Sequence, residues 1–409
     1  MMKEFLISKK GIFCINLALL LLFAFSGCMK YEVSDDFIME MIVSGAYTGS
    51  PSPFIMFMHP IIGIVLSILY TFIATINWYF IFQITVIFTS LCILSYTFLK
   101  YKKDNLSILL FMIFLLFLSN DLYLLVQFTK TASLSLCAGC ILMLSNILDR
   151  NTMNKKEIAL GILLFCVGYM IRNKCIYIVL FFSVLPILFH GIQKRFKYID
   201  FVKLAKKAGK VMFPCFFVLV GLSFFSKEFV QRYPAYKEYK EYSAYRSDIV
   251  DYSYYSYEEN RTEFEKNGIS ENDFYTLVHW NFGDIEYYDL DKLKTVSTIL
   301  STYRDRQYTS IKGTIVNLIN RQYKYYVSAW ALMFISLIGI FAIRNGIFQV
   351  LSVNFFAFCL LFINMYLGRL NYRVEYSIFL AAAAFLLYSF QISESRIEKF
   401  SDKFLIAVL

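Results

Sequence analysis

Apolar residues in this chain neither alternate with polar ones nor keep to one helical face. They run in long unbroken blocks separated by short polar segments. A helix needs about 17–25 such residues to cross a bilayer. The strands of a membrane barrel alternate instead, so a barrel is excluded. The blocks lie near 11–29, 79–99, 106–120, 131–147, 158–172, 175–190, 211–226, 327–343, 346–367 and 377–390, and they predict ten spanning helices. A further block, IIGIVLSILYTFIATI at 61–76, is apolar enough to cross as well.

Composition agrees with this pattern. Of 409 residues, 58% are hydrophobic and only 17% charged, more apolar surface than a soluble fold of this length can hide. The expected class is all-α, a polytopic transmembrane helical bundle of about ten spans. Its net charge of +10 comes largely from Lys and Arg between the blocks, and no basic–aromatic nucleic-acid module is visible.

Charge also orients the chain, because Lys and Arg collect on the cytoplasmic side. If 61–76 does not cross, MMKEFLISKK, YKKDN, LDRNTMNKKE, HGIQKRFKYIDFVKLAKKAGK, RNG and the tail with Arg396 and Lys399 all fall inside. If it crosses once, everything downstream inverts. The block is therefore expected along the outer interface, with Pro60 before it and Asn77-Trp78-Tyr79 after it. This places both termini in the cytoplasm of a cell whose inner membrane holds the chain. Residues 30–77 and about 227–326 then lie outside. The expected organisation is a membrane module at 1–226, an extracytoplasmic Tyr-rich loop at 227–326 and membrane helices at 327–409. Within the loop, ENDFYTLVHWNF and LDKLKTVSTILSTY read as short amphipathic helices, the first capped within Glu271–Asp273.

Several motifs carry little chemistry. Cys137-Ala-Gly-Cys140 matches C-x-x-C but sits in an apolar run with no second pair, and buried thiols are the plain reading. Phe25-Ser-Gly-Cys28 resembles a lipoprotein cleavage box, yet a first transmembrane helix has the same flanks. Asn260-Arg-Thr262 matches a glycosylation sequon. His59, His190 and His279 are too scattered to predict a histidine metal centre.

Five cations stand against the charge bias, outside and next to helix ends: Lys130, Arg172, Lys174, Arg369 and Arg373. Snorkelling, or pairing with acids such as Asp121 or Glu375, accounts for any one of them. As a set on one face they suit a lipid phosphate or pyrophosphate, because the Arg fork binds phosphate oxygens in pairs. Opposite them, on the first outer loop, stand Asp35 and Asp36. Moving a sugar from a lipid phosphate to a hydroxyl needs a carboxylate to take the acceptor proton and positive charge for the departing phosphate. Two neighbouring carboxylates can also share a divalent cation or raise one pKa. Their plain role is to cap a helix over 37–44. Glu40 lies one turn on.

A first helix, an outer loop with the acidic pair Asp35-Asp36, then His59-Pro60 and an apolar helix at 61–76 resemble the GT-C superfamily of polyprenyl-phosphate-sugar-dependent glycosyltransferases. MIRNKCIYIVL and the turn RLNYR resemble features of bacterial members encoded among surface-polysaccharide genes. The resemblance covers residues 1–100 best and the rest in topology. It departs in the lack of a second proline after His59-Pro60 and of a family motif in 227–326. It implies an active site in an outer cavity, a loop carboxylate as base or metal ligand, and a lipid-linked sugar donor. The acceptor would be a glycan or glycolipid, with His59 and Tyr47 on its side. A polysaccharide polymerase or ligase, which would lean on the arginines instead, remains open. So does a flippase or transporter, although the helix centres hold Gln83, Asn354 and Asn364 rather than charges. A protein whose Tyr-rich loop stacks on glycans is a further reading.

Overall fold

A computed structural model describes residues 2–148, 153–195, 197–251, 256–304 and 310–395; Arg396 and Lys399 of the tail lie outside this range. In chain order the helices are α1 (Met2–Leu6), α2 (Lys9–Phe25), α3 (Ser34–Ser44), α4 (Pro60–Phe72), α5 (Trp78–Tyr101), α6 (Asn105–Leu124), α7 (Phe128–Leu148), α8 (Lys155–Ile171), α9 (Cys175–Lys194), α10 (Tyr198–Arg232), α11 (Pro234–Val250), α12 (Arg261–Lys266), α13 (Glu271–Val278), α14 (Leu290–Arg304), α15 (Ile311–Asn320), α16 (Val327–Ala342), α17 (Gly346–Tyr366) and α18 (Tyr372–Gln391). Two short parallel strands, β1 (Lys30–Tyr31) and β2 (Leu125–Val126), pair with Lys30 opposite Leu125.

Every apolar block of the sequence is a helix. Among the described residues seven helices are long and apolar enough to cross a membrane: α5, α6, α7, α9, α10, α17 and α18. The number is eight if α16 is counted together with the residues before it. The helices α2 and α8 have 17 residues each. The block at 61–76 forms only the 13-residue α4. At 1.5 Å per residue such a helix is about 20 Å long, short of a bilayer core of about 30 Å. Pro60 starts it at the first helical position and His59 Nδ1 accepts from the Ile61 N–H. The helix α10 begins well before the block at 211–226. Lys203, Lys206, Lys207 and Lys210 recur at helical spacing, which lets a charged face coexist with an apolar one.

The chain forms two compact units. The first comprises Met1–Phe224, Gln322–Leu360 and Tyr372–Leu409. The second comprises Phe225–Arg321 and also takes in Leu361–Asn371, which the sequence reading placed with the last membrane helices. In the first unit α7 is the axis, since every residue from Phe128 to Leu148 is buried. It packs against α8 through small residues. A Cβ on Gly139 would lie 2.5 Å from the Gly161 carbonyl oxygen, and one on Gly168 would lie 2.7 Å from the Ala132 carbonyl oxygen. Such contacts let helix backbones approach closely in lipid. Ser135 adds a hydroxyl donated to the Leu164 carbonyl at 2.7 Å.

The second unit has its own core, in which Ile249, Phe264, Phe274, Leu277, Leu293 and Val296 meet. Both helices expected in its sequence form, as α13 and α14. The cap of α13 is a reciprocal pair: Ser270 Oγ accepts from the Asp273 N–H, and Asp273 accepts from the Ser270 N–H.

The helix contact yields a prediction. Gly139→Ala should lower stability by about 1–3 kcal/mol through overpacking. Gly209→Ala, in α10 with nothing within 4 Å of the added carbon, should leave it unchanged or raise it by up to about 1 kcal/mol. Thermal unfolding of both variants in detergent checks this.

Candidate functional site

The candidate site lies in the first unit, where the first loop, the α6–α7 junction and the start of α18 meet. The β1–β2 pairing joins the loop to that junction, and the Glu32 N–H continues it by donating to the Val126 carbonyl. A buried ammonium lies beside it. Lys130, in the first turn of α7, is 1% exposed and forms ion pairs with Glu32 and with Asp121 at 3.0 Å. The rings of Tyr372 and Tyr376 lie 5.4 and 5.0 Å from its Nζ. The Tyr372 hydroxyl donates to the other oxygen of Asp121. Lys130 thus pairs with Asp121, as the plainer sequence reading allowed, and its charge is already matched.

The helix α3 begins at Ser34, three positions before the expected 37. Its N-cap residue is Val33, which makes no side-chain cap, so the expected carboxylate cap is not how the helix starts. Residues i and i+1 on a helix do not face the same way, and Asp35 and Asp36 accordingly meet different surroundings. Asp36 has no exposed surface. Its Oδ1 accepts from the Tyr79 hydroxyl at 2.8 Å, the Gln83 amide at 2.7 Å and the Phe128 N–H at 3.2 Å. Gln83 in turn accepts from the Thr131 hydroxyl at 2.9 Å, so one chain of hydrogen bonds ties α3 through α5 to α7. Asp36 Oδ2 is buried, and among the described residues it has no hydrogen-bond partner. Burial pushes this carboxyl from 3.8 up to about 7, against the pull of its three donors.

Asp35 is half-exposed. It lies 3.2 Å from Arg373, a residue 338 positions away in the first turn of α18, which is half-exposed too. The preceding residue, Tyr372, walls a cavity of about 400 Å³. Lys30, Asn120, Asp121 and Tyr325 also line it, with Cys28 and Leu124 among the rest. The cavity therefore presents carboxylate, amide, phenol and ammonium groups together.

The remaining sequence-derived residues divide. Arg172 ends α8 with its guanidinium 5.1 Å from the Phe57 ring and 5.3 Å from the Phe128 ring, and these two rings stack. Since the Phe128 N–H bonds Asp36, Arg172 belongs to the same neighbourhood. Lys174 is exposed at the start of α9. Glu40 is half-buried on α3. Tyr47 is 70% exposed in the turn that follows. His59 is buried and both ring nitrogens are engaged, Nδ1 as the cap of α4 and Nε2 with the Leu222 carbonyl at 2.8 Å. It works as a tie to α10. Arg369 belongs to the second unit, where it pairs with Asp251 at 3.2 Å.

Among the described residues no three His, Cys, Asp or Glu side chains converge as a metal site. Cys137 and Cys140 are buried thiols in α7. Sequence reasoning missed Glu32, Lys30 and Tyr372; of these, only Lys30, a cation just beyond the first apolar block, carried a local signal. Set against models of known families, curated proteins and solved structures, the chain matches none.

The Asp36 carboxyl makes stability depend on pH. With its folded pKa above the unfolded one, the folded chain holds a proton that the unfolded chain has released. Stability from this group therefore falls as pH rises from about 4 to about 7, then levels off. Asp36→Asn removes that term. In paired thermal melts at pH 5 and pH 8, the wild type should lose more stability at the higher pH than the variant does.

Proposed function

We propose that the chain is an integral-membrane glycosyltransferase of GT-C type. It moves a sugar from a polyprenyl-phosphate donor to a cell-surface glycan or glycolipid. In this reading ten helices cross the cytoplasmic membrane with both termini inside, α4 lies along the outer interface, and residues 30–77 and 227–326 face outward. The short length of α4 and the placement of the basic segments support that layout.

One observation carries the chemical reading: a half-exposed carboxylate and a guanidinium held 3.2 Å apart, with the arginine's chain neighbour walling a polar cavity. Asp35 is the base and Asp36 is its buried support. The sugar sits in the cavity, where Asp121, Asn120 and the tyrosines meet its hydroxyls. When the donor phosphate arrives, Arg373 turns from Asp35 to the phosphate oxygens and frees the carboxylate. Asp35 takes the acceptor's hydroxyl proton as that oxygen bonds to the anomeric carbon. The bond from that carbon to the phosphate oxygen breaks, and the electron pair leaves with polyprenyl phosphate, stabilised by Arg373 and Arg172. Lys130 takes no part in phosphate binding here, because Glu32 and Asp121 already match its charge.

The test is glycan analysis of cells lacking the protein and complemented with variants at matched membrane levels. Wild type should restore one surface sugar. Asp35→Asn should lower transfer by about 10²–10⁴-fold, the range for loss of a general base, whereas Asp36→Asn should keep transfer within about tenfold of wild type, as expected of a group outside the proton transfer. Full rescue by Asp35→Asn would sink the mechanism. If Arg172→Ala then failed, the polymerase or ligase reading would replace it.

A further inference from the structure

Three tryptophans occur in the chain, and two are used internally. The Trp78 indole N–H donates to the Ile73 carbonyl at 2.9 Å, and that of Trp330 to the Lys324 carbonyl at 2.8 Å. Trp280, in the second unit, differs. The residue is 57% exposed, and among the described residues its indole N–H has no acceptor.

Its backbone is the second anomaly. Trp280 follows the C-cap of α13 and has φ 66°, in the left-handed region. Its N–H donates to the Leu277 carbonyl at 3.0 Å, and the Asn281 N–H donates to the Thr276 carbonyl at 3.1 Å. This pair of bonds is the common helix-ending motif in which glycine, or sometimes asparagine, fills the left-handed position. A bulky side chain there is an outlier. The strain gains no core packing, because the ring points outward. Such a broken local rule marks a position kept for binding rather than for folding.

The surroundings indicate the ligand. The Arg246 guanidinium lies over the ring, 5.2 Å from its centroid. His279, Asn281 and Asp284, close to Trp280 along the chain, are all exposed. An exposed indole with a guanidinium over it, and an imidazole, an amide and a carboxylate exposed on nearby residues of the chain, fits a saccharide. The weakly positive C–H face of a pyranose packs on the ring, and its hydroxyls meet the polar rim. A membrane anchor fits less well, since Asp284 and Glu286 oppose an anionic lipid surface.

We propose that Trp280 is a sugar-stacking platform that holds the glycan chain on the second unit, apart from the residues that do the transfer. It rests on the function proposed above only for the choice of glycan. The test is hydroxyl-radical footprinting of the full chain in detergent, read by mass spectrometry. One arm adds surface polysaccharide extracted from the cells that make the chain; the other adds phosphatidylglycerol–phosphatidylethanolamine vesicles. The polysaccharide should cut oxidation of Trp280 several-fold and leave Trp330 unchanged, while vesicles should not protect Trp280. Protection by vesicles alone, or by neither, would overturn the proposal. Trp280→Asn, which suits the left-handed backbone, should weaken polysaccharide binding at least about tenfold, as loss of an aromatic anchor does, without lowering the melting midpoint. Unchanged binding in that variant would equally refute it. Because footprinting reads binding and not transfer, it can succeed where the transfer assay fails, and the reverse.

Discussion

The buried ammonium of Lys130 is the constraint on which the outer half of the first unit depends. A charge removed from water is tolerable only when it is matched. Its matches come from three places far apart in sequence: Glu32 in the first loop, Asp121 at the end of α6 and two tyrosine rings of α18. Removing one partner of such a group typically costs about 3–5 kcal/mol. The loop must therefore return to the α6–α7 junction, and α18 must present Tyr372 there. Once both conditions hold, Asp35 and Arg373 meet as neighbours of those residues.

The same geometry gives two adjacent carboxylates opposite duties. A turn of about 100° per residue sends Asp36 into the bundle and leaves Asp35 at the surface. The inner one secures α3 to α5 and α7 through Gln83 and Tyr79. The outer one keeps access to solvent and a half-exposed counter-ion, Arg373. A buried, hydrogen-bonded anchor thus holds a half-exposed ion pair in place beside it.

The helices were legible because lipid demands long apolar runs, and no soluble alternative competes with that signal. Local polar events were legible for the same reason. Pro60 marks the start of its apolar block, and Lys130 is near enough to Asp121 for their pairing to be foreseen. Charge bias set Asp35 opposite a group of outer cations, but not which one it meets, since nothing in a local pattern links it to Arg373, 338 residues away. The β1–β2 pairing was not legible either, since two residues per strand are too few to signal it. Gln83 stood out as polar within an apolar run, but its partner Asp36 lay on a different helix. Trp280 carried the opposite of a signal, because its position in the helix ending calls for glycine.

The near-complete burial of α18 bears on how the chain is assembled. From Glu375 to Gln391 every residue is covered by neighbours, as in α7, yet α18 follows all the other described helices in the chain. Until α18 is synthesised, the slot it fills among those neighbours lacks its occupant. Lys130 stays short of two of its partners until that slot fills. Arg373 and Tyr372 enter with the helix that fills it. The carboxylate and cation of the candidate site thus come together only once α18 has joined the helices before it, so a chain that stops short of α18 carries the acid without its counter-ion.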